Sequence, residues 1–91
     1  MKDLQVKSSG IAYGIMVWWS ECADAAVYQV KLHLRSEGQN QLLATIPIER
    51  NTFYHTFMGL AENYYVIEVS AENREGEVIA QGKTSLRVYK S

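Results

Sequence analysis

Residues 14–21 read Gly-Ile-Met-Val-Trp-Trp-Ser-Glu, and the adjacent tryptophans decide how the chain is read. In an extended strand, successive side chains point to opposite faces. Only one of two neighbouring indoles can enter a core on one side of a sheet. Ile15 and Val17 share a face with Trp19, whereas Gly14 and Met16 share one with Trp18. The alternation therefore sends Trp19 inward and Trp18 outward.

The same period of two recurs along the chain. Residues 3–8 alternate weakly, and residues 11–19 place Ile11, Tyr13, Ile15, Val17 and Trp19 on one face. Residues 26–35 set Ala26, Tyr28, Val30, Leu32 and Leu34 against Val27, Gln29, Lys31, His33 and Arg35. After a polar turn, Ser36 to Gln41, come residues 42–46, Pro47 and residues 51–60. Residues 64–73 align Tyr65, Ile67, Val69 and Ala71; a turn around Gly76 leads to residues 79–89, with Leu86 and Val88 on one face. Leu32 and Leu34 stand two apart, not three or four, so no helical stripe competes. Seven short strands at spacings of roughly 8–14 residues predict an antiparallel sandwich or barrel.

The chain has 91 residues, which predicts one domain over 1–91. Its 47% hydrophobic and 21% charged content suits a globular core. Nine Lys and Arg against ten Asp and Glu leave no electrostatic footprint for nucleic acid. The longest apolar run, Ile15–Trp19, is too short to span a bilayer, so membrane insertion is not expected. The single cysteine, Cys22, permits no internal disulfide.

Trp19 followed by Tyr28-x-Val30 resembles the strand B tryptophan and strand C Tyr-x-Val of fibronectin type III domains. Gly59-Leu60, then Tyr65-x-Ile67-x-Val69-x-Ala71-x-Asn73-x-x-Gly76, resembles the same family's run through its E–F corner, strand F and F–G turn. Glu62 stands where the family has a proline, and the Leu60–Tyr65 spacing is one residue short. The resemblance implies an all-β, seven-stranded, antiparallel Greek-key β-sandwich of the immunoglobulin-like kind. It also implies a non-catalytic modular domain, extracellular or at a cell surface, with Tyr65 as a corner tyrosine bonded to backbone near the turn. Strands A, B and E would form one sheet, with B beside E. Strands C and F would be neighbours, with Lys31, His33 and Arg35 beside Glu68 and Glu72.

No residue pattern suggests an active site, a metal site or a cofactor. Cys22, His33 and His55 are candidates for a nucleophile and bases, but the strand assignment scatters them. Counting back from Leu60 points Phe57, His55 and Phe53 inward; a bulge would instead turn Tyr54 in. The outward set is of interest: Met16 and Trp18 would share an outer face with Tyr54, Thr56 and Met58. Trp18, Met16, Tyr54 and Met58 are thus candidate protein-contact residues, since exposed apolar patches often mark contact sites. The face would dock a neighbouring domain, a second copy (a homodimer through the edge strand) or another protein, unless these residues cover one another or lie under the strand A segment or a loop. A passive spacer in a multidomain secreted enzyme or surface protein is the alternative. The assignment predicts that Trp19→Ala destabilises the fold by about 3–5 kcal/mol in chemical denaturation, and Trp18→Ala by far less; equal losses contradict it.

Overall fold

The computed structural model describes residues 2–89, all strand, turn or loop. Its strands are β1 (Lys2–Asp3), β2 (Val6–Ile11), β3 (Gly14–Trp19), β4 (Val27–Ser36), β5 (Gln39–Glu49), β6 (Tyr54–Met58), β7 (Asn63–Glu72) and β8 (Val78–Val88). Two sheets form, in the orders β1-β8-β7-β4-β5 and β2-β3-β6. The expected sandwich is present, with eight strands rather than seven.

The extra strand comes from the first segment, which changes sheets. β1 pairs parallel with β8, Lys2 opposite Ala80, whereas β2 pairs antiparallel with β3, Val6 opposite Trp19. Leu4 lies buried at the crossing, and its N–H donates to the Gln81 carbonyl (2.9 Å). Gly82 makes room for this passage: a Cβ there would fall on the Leu4 carbonyl oxygen.

The run expected over 11–19 is also divided. Ile11 closes β2 opposite Gly14, and Ala12–Tyr13 form the turn. Tyr13 takes φ 58°, the left-handed region that non-glycine residues rarely occupy. Its carbonyl accepts from the Leu60 N–H (2.8 Å), which ties this hairpin to the β6–β7 turn. Ile11 and Tyr13 are therefore exposed rather than core residues. The β4–β5 hairpin turns at Glu37–Gly38, both at positive φ (50° and 79°), the geometry that matches strand twist in a two-residue loop. Pro47 lies within β5 opposite Gln29; an edge strand tolerates the missing N–H.

The core fills the gap between sheets. Ile15, Val17 and Trp19 of β3 face Tyr28, Val30 and Leu32 of β4 and Ile67, Val69 and Ala71 of β7. Trp19 is 4% exposed and Trp18 38%, so the alternation holds. The Trp19 and Tyr28 rings lie 5.6 Å apart, and Phe53 meets Tyr28 edge-on at 6.1 Å. The corner expectation holds too, despite Glu62: the Tyr65 hydroxyl donates to the Ala61 carbonyl at 2.8 Å.

The strand crossing gives a direct test. Gly82→Ala should destabilise the fold by about 1–3 kcal/mol, because backbone must shift to admit the methyl. Gly10→Ala, which meets only Leu86 at 3.7 Å, should be tolerated. Matching urea midpoints for the two variants would contradict this account of the crossing.

Candidate functional site

The outer face of the β2-β3-β6 sheet is built in rows. Cross-strand register sets Lys7, Trp18 and Tyr54 side by side, then Ser9, Met16 and Thr56, then Ile11, Gly14 and Met58. The four predicted contact residues thus share one surface, with Tyr54 directly opposite Trp18. All four are exposed, Trp18 and Met16 at 38% and 40%, Tyr54 and Met58 at 62% and 63%. Partial mutual cover exists at one end, where a Cβ on Gly14 would meet the Met58 sulfur (3.0 Å) and Ile11 Cγ1 (3.2 Å). Ile11 joins the patch because its hairpin turn reverses the face predicted for it. Lys7 is the one ionised side chain in these three rows.

Beneath the face, β6 keeps the expected inward set. Phe57 is buried, and His55 is half-buried against it, the rings edge-to-face at 4.7 Å. Tyr54 points out, so no bulge intervenes. Burial holds the His55 imidazole below its ordinary pKa of 6.5, since desolvation disfavours the charged ring.

Cys22, His33 and His55 lie apart. Cys22 sits in the β3–β4 loop, where its N–H donates to the Tyr28 hydroxyl at 2.9 Å. Burial raises the Tyr28 pKa, so that phenol stays neutral while pinning the loop. The groove beside Cys22 is lined by Lys2, Asp24, Asn73 and Ile79, without a histidine. His33 is on β4 of the large sheet, opposite Val66 and Leu42; His55 is on β6 of the small one. Among the described residues, no three His, Cys, Asp or Glu gather as metal ligands would.

The large sheet's outer face corrects one expected pairing and adds one feature. Lys31 does stand opposite Glu68, but Glu72 stands opposite Val27, so it is no partner for the basic row. The addition is a stack at the end of β8. The Arg87 guanidinium lies 5.2 Å from the Tyr64 ring centre, 5.5 Å from that of Tyr89, and 3.4 Å from Glu62 Oε1. The cross-strand register Tyr64–Arg87 creates it, and no sequence spacing announces it.

No family model and no curated protein matches the sequence. Among solved structures, the FN5 domain of Drosophila Lar matches with a TM-score of 0.76, covering 99% of this chain and 98% of that one at 19% identity. The likeness is one of fold: this chain has the fibronectin type III form of the immunoglobulin-like β-sandwich.

The His55 environment predicts a pH effect with a definite sign. Its folded-state pKa is depressed, so the unfolded chain binds this proton more readily, and stability drops as pH falls through about 6.5 toward the folded value. His55→Gln should flatten that part of the profile. Urea midpoints between about pH 7.5 and 5.5 for both proteins check this; parallel profiles contradict it.

Proposed function

We propose that this fibronectin type III-like chain is a non-catalytic protein-contact module of a larger modular protein, and that it docks through the outer face of the β2-β3-β6 sheet. Trp18, Met16, Tyr54 and Met58 are the contact residues. The observation that carries this reading is that the four lie in three adjacent rows of one exposed surface, Trp18 directly opposite Tyr54, with Lys7 as the one ionised side chain of those rows. Contiguous exposed apolar residues of this kind often mark a contact site. Tyr and Trp anchor interfaces because they bury much area for little lost side-chain freedom, and Met adapts to an irregular partner.

A passive spacer is the second reading. It is favoured by the placement of β1 beside the start of β8, with the far end of β8 beside Asn63 at the opposite pole. Strands entering and leaving at opposite poles suit a module threaded in series.

Static light scattering over a concentration series discriminates the two. The contact reading predicts net attraction between wild-type molecules, seen as a low or negative second virial coefficient. It predicts that Trp18→Ser restores net repulsion with a shift of only a few °C in the unfolding midpoint. Equal coefficients for both proteins would favour the spacer and contradict the docking face.

A further inference from the structure

β6 is a border of its sheet, and its backbone is set to receive a further strand. Trp19 N–H donates to the Phe53 carbonyl (3.0 Å), and the Phe57 carbonyl oxygen is turned toward Gly14. Odd-numbered residues of this segment therefore aim their backbone groups at β3. In an antiparallel strand, those of the alternate residues point the other way. Tyr54, Thr56 and Met58 thus present their N–H and C=O groups at the open edge, and their side chains lie on the outer face just described.

The other border of this sheet, β2, and both borders of the five-stranded sheet, β1 and β5, carry devices that discourage strand addition. β5 contains Pro47, ends on Glu49 and bulges at Leu43, which the register skips between Leu42 and Ala44. β2 carries Lys7, and β1 is two residues long, Lys2 and Asp3. β6 has none of these, and no Asp, Glu, Lys or Arg occurs from Asn51 to Ala61.

We infer that β6 pairs with β6 of a second copy of this chain, antiparallel about a two-fold axis through Thr56. This rests on the docking reading above, since β6 supplies half of that surface, but it places the contact at the open edge of the strand rather than on its outer face. Thr56 would face Thr56 of the second copy, and Tyr54 would face its Met58. All three pairs use backbone groups already aimed outward, making about six inter-chain hydrogen bonds. On the outer face the pairs are threonine with threonine and tyrosine with methionine, both favourable across strands. On the inner face His55 would meet Phe57 of the second copy, repeating the ring contact each chain makes internally. A two-fold contact sets every charge against its twin. Residues 51–61 carry no Asp, Glu, Lys or Arg to be set so, and Lys7 sits two strands away. The three-stranded sheets would fuse, joining the two Trp18–Tyr54–Met58 patches into one face.

Sedimentation equilibrium of the wild-type chain, Thr56→Lys, Thr56→Pro, Ser9→Lys and Trp18→Ser tests this, with circular dichroism confirming each fold. The wild type should pass from the 10.3 kDa chain mass to twice that value as concentration rises. Thr56→Lys sets two like charges on the axis, and Thr56→Pro removes the central donor; each should raise the dissociation constant at least tenfold. Ser9→Lys, in the same row but on β2, should leave it within twofold. A wild type that stays monomeric up to about 1 mM overturns the inference, and so does a dimer indifferent to both Thr56 changes. Equal weakening by Ser9→Lys and Thr56→Lys also overturns it, because that pattern marks face-to-face stacking. Trp18→Ser separates this proposal from the one it rests on. A dimer broken at Thr56 yet untouched by Trp18→Ser upholds the edge against the face. A monomeric wild type with attractive scattering overturns the edge alone.

Discussion

The contact between Trp19 and Tyr28 holds the two layers together. Trp19 belongs to the three-stranded sheet and Tyr28 to the five-stranded one. Their rings, with Phe53, form an aromatic bridge at one end of the core. Aromatic pairs of this kind contribute about 0.5–1.5 kcal/mol beyond the area they bury. Tyr28 also fixes the β3–β4 loop through its hydroxyl. The arrangement has a cost: the Trp19 Nε1–H is buried without an acceptor, alone in this among the described side chains, and an unmet donor costs about 1–3 kcal/mol.

Putting Trp19 inside settles three further matters by parity. Ile15 and Val17 enter the core with it; Met16 and Trp18 leave it. The register with β6 then sends Phe57 and His55 in, and Tyr54, Thr56 and Met58 out. The same parity orients the backbone of β6, leaving the even-numbered residues with groups aimed at the open edge. The core, the proposed docking surface and the proposed pairing edge are therefore consequences of one choice, and a slip of one residue would exchange all three.

Where the periodicity was strong, the fold was legible from residues alone. β4 alternates over ten positions, β7 carries the Tyr65 corner, and both fall where the pattern places them. What escaped the pattern depended on local backbone geometry or on register. Tyr13 in a left-handed turn has no compositional signal, so residues 11–19 read as one strand and Ile11 appeared to face inward. The crossing of the first strand depends on Gly82, some 80 positions from the segment it admits. The bulge at Leu43 reverses faces within β5 without a glycine to mark it. That Met16, Trp18, Tyr54 and Met58 share one outer face was legible because β3 and β6 are short and regular. Lys7 and Ile11 became their neighbours only once β2 was registered against β3, and the Tyr64–Arg87–Tyr89 stack likewise needed the β7–β8 pairing.

Hydrogen exchange at the two indole Nε1–H groups, followed by NMR, tests the shared parity most directly. The account predicts that the Trp18 indole proton exchanges within seconds to minutes, as an accessible group does. The Trp19 proton should persist for as long as the slowest core amides of β4 and β7, exchanging only when the molecule unfolds globally. The reverse order, or rapid exchange at both indoles, would contradict it, and the core, the face and the edge would have to be reassigned together.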